Sequence, residues 1–180
     1  IFIRELPQVR IPPDFKDKIV DNARLLNMDL LWVYNNGSVQ ENSLVYTLNQ
    51  NGTPAAVIDM GIGMSYTEEF ADQLTDGIFC LMSKMGMWTG QTIKPREPVC
   101  SEKENDISTL VSTTAGFFVR KAQCGQRAKK GDLLGEIISP LEGKVLAQIR
   151  APRAGLLFTL REYPIVEIGS TLGRLLNEGN

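Results

Sequence analysis

Asp59 is the residue whose type and position best suit chemistry in this sequence of 180 residues. It follows the apolar run Pro54-Ala55-Ala56-Val57-Ile58, which is typical of a buried strand, and it precedes Gly61-Ile62-Gly63. Functional sites gather at strand ends in open α/β sheets, and a carboxylate there can serve as a general base. The alternative is a structural aspartate that accepts hydrogen bonds from the amides of Gly61–Gly63. The residues alone leave both interpretations open.

Several other kinds of site are excluded or weakly supported. The sequence has no histidine, so a histidine general base, a histidine-containing triad and a histidine-ligated metal cannot form within this chain. Gly61-Ile62-Gly63 lacks a third glycine and a following Lys-Ser or Lys-Thr, so a tight turn is favoured over a phosphate loop. The three cysteines form no CxxC pair, which predicts free thiols in a cytoplasmic protein.

The basic and aromatic side chains give further candidates with a structural alternative for each. Lysines at turns could carry biotin or lipoate, but the tip Pro140–Val145 lacks the sequence contexts of such lysines, so we predict no modification. Arginines in the last third could reach a substrate carboxylate, although a solvated face is the simpler interpretation. Aromatic residues are interpreted as core or interface groups. These candidates are Lys129, Lys130 and Lys144; Arg150, Arg153 and Arg161; and Trp32, Tyr34, Tyr66 and Trp88.

Composition indicates a globular chain without a nucleic-acid or membrane partner. Hydrophobic residues make up 43% and charged residues 22%, and the formal net charge is −2. No basic block stands out, and no apolar run approaches the length of a membrane span. Neither a signal peptide nor a metal-binding cysteine pair is indicated.

Residues 1–90 alternate helix, strand, helix, strand and helix, which predicts an α/β layer with a mainly parallel sheet. A helix should begin at Pro12-Pro13-Asp14, and strands are predicted at 30–34 and 54–59. A last helix should run to about Gly86, with Ser65 and Glu68 at capping-box spacing. Two strands make a poor sheet, and the chain opens in mid-domain style, so we expect a fragment whose missing strands lie upstream of Ile1.

Residues 91–106 are extended and charged and are interpreted as a linker to a second domain at 107–180. Glycines interrupt short apolar runs there, which is typical of an all-β barrel or sandwich. An internal repeat supports this, because Ala115–Val119 matches Ala154–Phe158 and Gly131–Ile138 matches Gly169–Leu176. Two similar halves predict a small barrel with pseudo-twofold symmetry that folds on its own.

Two resemblances rest on these segments. Gly125–Ile137 resembles the hairpin of biotinyl and lipoyl carrier domains, which implies the barrel-sandwich hybrid fold. Nearly the whole chain resembles the C-terminal part of the succinylglutamate desuccinylase/aspartoacylase family. The matching stretches, in order, are Asn42–Leu44 with Asn51–Ala55, Val57–Gly61, Ala115–Val119 and Ala151–Gly155.

The family resemblance implies a carboxypeptidase-like zinc hydrolase that cleaves the amide bond of N-acyl amino acids. A glutamate acts as general base in that family, and Asp59 occupies its position. The zinc ligands, a His-x-x-Glu pair and a later histidine, are expected upstream of Ile1, so this chain alone should bind no metal and be inactive. The expected partner is a small-molecule N-acyl amino acid; the oligomeric state, including a homo-oligomer, is left open.

Asp59 is one methylene shorter than the family's glutamate, which displaces its carboxylate by roughly 1.5 Å. A misplacement of about 1 Å can cost a hundredfold in rate. Two alternatives to an enzyme therefore stand beside the hydrolase: a binding or adaptor module built on the lipoyl-like barrel, and a catalytically inactive homologue.

Overall fold

The computed structural model describes residues 2–33, 43–101 and 106–177, and shows a mixed α/β structure with two sheets. The α-helices are α1 (Lys16–Ala23), α2 (Leu44–Gln50) and α3 (Glu68–Lys84), with 3₁₀ helices at Pro13–Phe15 and Arg24–Leu26. The strands are β1 (Ile3–Ile11), β2 (Leu30–Val33), β3 (Val57–Gly61), β4 (Val99–Ser101), β5 (Ile107–Val111), β6 (Gly116–Arg120), β7 (Arg127–Ala128), β8 (Leu133–Ile138), β9 (Val145–Arg150), β10 (Gly155–Arg161), β11 (Ile165–Val166) and β12 (Thr171–Asn177).

The chain divides into two compact units. The α/β unit comprises Pro7–Gly61 and Tyr66–Glu104, and the β unit comprises Ile1–Leu6, Ile62–Ser65 and Asn105–Asn180. Tyr34, one of the aromatic candidates, lies outside the described residues, and so does Asn42 of the family resemblance. No helix in the described ranges is long and apolar enough to cross a membrane.

The α/β unit contains the parallel sheet that the alternation of elements predicts. Residues Gln8–Ile11 of β1 pair parallel with β2, and β2 pairs parallel with β4. β3 pairs with β1. Neither β1 nor β4 was predicted, so the expectation of only two strands in this part of the chain is wrong. β4 lies in the segment 91–106 that the sequence suggested was a linker.

The core of the α/β unit lies against one face of this sheet. Val9 and Ile11 of β1 contribute to it, and Phe15, Ile19 and Ala23 supply an apolar face of the first helical segment, residues 13–26. Val9 and Ile11 alternate with Gln8 and Arg10, which therefore occupy the opposite face of β1. The strand thus buries apolar residues on one side and carries polar ones on the other.

Reciprocal hydrogen bonds between two buried amide side chains and the backbone fix the chain between the first helical segment and β2. Asn27 has a left-handed backbone (φ 58°), and its Nδ2 donates to the Gln73 carbonyl at 3.2 Å. Gln73 Nε2 donates in return to the Asn27 carbonyl at 2.6 Å. The Arg96 amide donates to Asn27 Oδ1 at 3.0 Å. Because these amide groups are buried and paired, they position α3 against the turn that leads into β2.

The beginning of α3 differs from the prediction. Thr67 occupies the N-cap position with an extended backbone and no side-chain capping bond. The helix begins at Glu68, so the capping box predicted from Ser65 and Glu68 is wrong. Glu68 and Glu69 stand in the first turn, where negative charge favours the helix dipole.

The β unit consists of two sheets that exchange strands between the two halves of the sequence repeat. One sheet has the order β11-β6-β8-β9; in the other, β10 pairs with β12 and β7, and β12 pairs with β5. The pair Phe117↔Ile138 in the first sheet corresponds to Leu156↔Leu176 in the second. Residues Ile3–Glu5 of β1 add an antiparallel partner to β10.

Glycines at repeated positions allow close approach of these strands. A Cβ on Gly116 would lie 2.7 Å from the Ile138 carbonyl oxygen, and one on Gly155 would lie 2.2 Å from that of Leu176. These are equivalent contacts in the two halves. The glycine pattern of the repeat therefore follows from strand packing as well as from turns.

Glu162 links two arginines within the β unit. Arg4 Nε and Arg120 Nη1 lie 2.7 Å and 2.8 Å from the same oxygen, Glu162 Oε1. Burial raises the pKa of Glu162, but the hydrogen bond from Arg4 and the charge of Arg120 outweigh it and bring the pKa below its ordinary value. Glu162 is therefore ionised at neutral pH and bridges β1 and β6.

We predict that Gly77→Ala destabilises the α/β unit by about 1–3 kcal/mol, because a Cβ there would lie 2.1 Å from the Leu26 carbonyl oxygen. Alanine favours a helix over glycine by about 1 kcal/mol, which is too little to offset overlap with backbone. Urea unfolding measures the loss. Thr75→Ala, an exposed change on α3, should stay within about 0.5 kcal/mol. A stable Gly77→Ala protein would contradict the close packing.

We also predict that Glu162→Gln reduces the loss of stability in acid. The folded pKa of Glu162 lies below its ordinary value of 4.5, so its contribution is complete above that value and disappears as the pH falls through the folded pKa. Glutamine keeps a hydrogen-bond acceptor but does not titrate here. Unfolding free energies of both proteins from about pH 6 to about pH 3 provide the measurement. Equal acid losses in the two proteins would be the contrary result.

Candidate functional site

Asp59 lies in the middle of β3 and not at its end, because the strand extends two residues further than the sequence suggested. The strand was expected to end at Asp59, and it continues through Gly61, whose backbone is left-handed (φ 69°). Ile58 packs against the apolar core of the α/β unit, so Asp59 points to the other face of the sheet. This is the face that also carries the polar side chains of β1.

Arg10 is the partner of Asp59. Arg10 Nε lies 2.5 Å from Asp59 Oδ2, and the two side chains are 32% and 27% exposed. In the described part of the chain, no hydrogen bond joins Asp59 to the amides of Gly61–Gly63. The structural alternative of a loop-binding aspartate is therefore replaced by an arginine–aspartate pair.

Gln8 adds a second polar group to the same face of β1. Its side chain is fully buried, and within the described part of the chain neither its Nε2 nor its Oε1 has a hydrogen-bond partner. Buried polar groups without partners are rare and recur at functional sites. Sequence reasoning missed both Gln8 and Arg10. The signal was the alternation of Gln8 and Arg10 with apolar Val9 and Ile11, which becomes visible only when β1 is recognised as a strand.

The described residues around Asp59 offer a carboxylate and an arginine but no set of metal ligands. The sequence has no histidine, and the described residues contain no group of three Cys, Asp or Glu side chains that could hold a metal ion. The donors among the described residues therefore do not fit zinc. The arrangement can hold the carboxylate of Asp59 in place through Arg10.

The arginines singled out from the sequence do not form a cluster. Arg161 donates from all three nitrogens to the carbonyls of Tyr163, Thr171 and Ile165, and so holds its own turn. Arg150 donates to the Gly131 carbonyl and to Gln148 Oε1, both at 2.9 Å.

The remaining candidates have ordinary surroundings. Arg153 is exposed, and Lys144 forms an exposed ion pair with Glu142 at 2.9 Å. Lys129 and Lys130 are exposed at a turn. Trp32 is buried in β2, and Trp88 stacks beside Phe79 with ring centroids 4.6 Å apart.

Tyr66 is exposed, and the three cysteines are free thiols, as the sequence predicts. Cys80 is buried, and Cys100 and Cys124 are partly buried. None of these groups joins Asp59 in a site.

No family model and no curated protein matches this sequence. Solved structures do match its fold. The apo form of the ectoine utilization protein EutE (DoeB) from Ruegeria pomeroyi has a TM-score of 0.82 at 16% identity, and the match covers 98% of this chain and 57% of that one. A succinylglutamate desuccinylase/aspartoacylase from Rhodobacter sphaeroides gives 0.79 at 12% identity, covering 99% and 55%.

An aspartoacylase family protein from Mesorhizobium loti gives a TM-score of 0.76 at 14% identity, covering 99% of this chain and 60% of that one. The chain thus spans little more than half the length of these proteins. At such low identities the match concerns the fold, and at that level it confirms the resemblance inferred from the sequence. Across nearly its whole length this chain has the fold seen in solved succinylglutamate desuccinylase/aspartoacylase structures.

Proposed function

We propose that this chain is part of a hydrolase that cleaves the amide bond of N-acyl amino acids. The observation that carries the proposal is the fold match over 96–99% of the chain to structures described as desuccinylases and aspartoacylases. The Arg10–Asp59 pair supports the proposal independently, because Arg10 holds the carboxylate of Asp59 on the polar face of the sheet. The substrate class is a small N-acyl amino acid, and the acyl group is left open.

In this proposal Asp59 is the general base. Its carboxylate takes a proton from the attacking water as the new C–O bond forms at the acyl carbonyl. It then returns the proton to the leaving nitrogen as the C–N bond breaks. Arg10 acts as a positioning residue, because its contact with Oδ2 restricts the carboxylate.

The zinc that the fold implies has no fitting ligand set in the part of the chain that the structure describes. We propose that the ligands come from residues outside it, which is consistent with the chain covering 53–60% of four of the proteins that it matches. In the proposal the protein is cytoplasmic, with a small molecule as its partner and neither nucleic acid nor membrane. We also propose that the β unit is a barrel-sandwich hybrid, a reading supported by its two strand-exchanging sheets.

A non-catalytic homologue is the second candidate. Two observations favour it: the chain has no histidine, and the carboxylate at the general-base position belongs to an aspartate already engaged by Arg10. A protein of this kind would keep the fold for binding, with the β unit as the functional part. The two candidates differ in whether the carboxylate of Asp59 is needed for turnover.

We predict that Asp59→Asn lowers kcat/KM for deacylation by about 10²–10⁴-fold, because asparagine cannot accept the proton. The assay measures free amine released from a panel of N-succinyl and N-acetyl amino acids by the protein translated from the complete reading frame that contains this chain. Asp59→Glu should retain activity. Arg10→Gln, which keeps the carboxylate and removes its partner, should reduce the rate less than Asp59→Asn.

Asp76→Asn on α3 is the matched control, because it removes an exposed carboxylate from the same unit and should leave the rate unchanged. Equal rates for Asp59→Asn and the parent would refute the role of Asp59. Absence of turnover in the parent across the panel would favour the non-catalytic homologue.

We further predict that the 180-residue chain retains no stoichiometric zinc after dialysis, because it has no histidine and its described residues assemble no zinc site. Elemental analysis gives the metal content, with protein from the complete reading frame analysed in parallel and expected to hold about one zinc ion per chain. One tightly held zinc ion in the 180-residue chain would contradict the prediction. A complete protein without zinc would remove the metal from the proposed function.

A further inference from the structure

The β unit contains a polar cavity of about 430 Å³ that the proposed hydrolase does not use. Its lining is formed by the Arg4–Glu162–Arg120 bridge together with a short loop segment, Ala122–Cys124. A space of this size accommodates a small organic ion together with water.

The charges on the lining favour an anion. Arg4 and Arg120 contribute two positive charges, and Glu162 contributes one negative charge because its pKa is lowered. Burial raises the pKa of Cys124 to about 11, so this thiol stays neutral and adds no negative charge. Its Sγ also donates to the Phe158 carbonyl at 3.2 Å. The lining therefore carries one net positive charge at neutral pH.

The geometry of the bridge leaves donors available on both arginines. Glu162 Oε1 accepts from Arg4 Nε and from Arg120 Nη1. In the part of the chain that the structure describes, Arg4 Nη1 and Nη2 and Arg120 Nε and Nη2 have no protein partner. Each guanidinium thus keeps one complete pair of N–H groups, which is the arrangement that binds the two oxygens of a carboxylate.

Glu162 also keeps these arginines in place. With their side chains 35% and 42% exposed, both are accessible to small ions. Held by one shared oxygen, they lose less rotamer entropy when a ligand arrives than free arginines would. One monoanion would neutralise the excess charge, whereas a dianion would reverse it.

We propose that this cavity is a binding site for a small monocarboxylate, with Arg4 and Arg120 as its donors and Glu162 as the residue that positions them. The site is independent of the proposed hydrolase, because it uses neither Asp59 nor Arg10. Removing an arginine should weaken carboxylate binding, and removing the charge of Glu162 should strengthen it. A purely structural bridge would not produce these opposite effects.

The test is a titration of the ¹⁵N-labelled 180-residue chain with acetate at constant ionic strength, followed through the amide signals of Ala122, Gln123 and Cys124. Saturable shifts are expected with acetate and none with acetamide, the neutral analogue. Arg120→Gln and Arg4→Gln should each weaken binding about tenfold or more, and Glu162→Gln should tighten it several-fold. Arg153→Gln, which removes an exposed charge elsewhere in the β unit, should have no effect.

Three results would overturn the proposal. The first is a linear, non-saturating shift with acetate. The second is an equal response to acetate and acetamide. The third is a loss in Arg153→Gln as large as that in Arg120→Gln, which would indicate general attraction to a positive surface. If the arginine variants fail to fold, Glu162→Gln still decides, because unchanged or weaker binding in that variant refutes the site.

Discussion

The exchange of strands between the two halves of the repeat is the constraint on which the β unit depends. β6 and β8 are bordered by β11 and β9 from the second half, and β10 and β12 by β7 and β5 from the first. Neither half can therefore complete a sheet without the other. Gly116 and Gly155 allow the close strand approach in each half, so the repeat preserves its spacing through both of them. The short segments that line the cavity are positioned by this shared core.

The α/β unit depends on a different kind of contact. Its sheet has an apolar core on one side, and the turn from the first helical segment to β2 is held by the buried amides of Asn27 and Gln73. Gly77 then brings α3 against the backbone of Leu26 without a side chain between them. These contacts position α3 and the turn that leads into β2. β2 pairs with β1, and β1 carries Arg10, the partner of Asp59.

Much of the fold could be predicted from the sequence because its signals are periodic. The apolar face of the first helical segment and the repeat in the β unit are both visible as spacings. β1 was not predicted because Pro7 and four charged or amide residues interrupt its apolar residues. Its alternation of apolar and polar residues is visible only around Val9 and Ile11. β4 is three residues long and carries almost no pattern. The missed strands are those whose formation depends on pairing with β2 rather than on their own residues.

In the candidate site, Asp59 could be predicted from the sequence, but the residues that surround it could not. Asp59 could be found from its place in an apolar run before a glycine turn, since that information is local. Arg10 lies 49 positions earlier, and only the pairing of β1 with β3 brings the two together. The ion pair between Arg4 and Glu162 joins residues still further apart in the sequence, separated by 158 positions. Ion pairs of this separation leave no trace in the spacing of a single sequence.

Both tryptophans of the chain, Trp32 and Trp88, belong to the α/β unit. Indole emission excited at the red edge therefore reports on that unit alone, while far-ultraviolet circular dichroism observes the strands of both. Trp32 is 8% exposed and Trp88 is 37% exposed, so the two emitters should differ in colour and in access to a quencher such as iodide. Melting curves recorded by the two optical signals would coincide for a chain that unfolds in one step and separate for one whose units unfold independently. The placement of two side chains thus provides an intrinsic optical label for one half of the molecule.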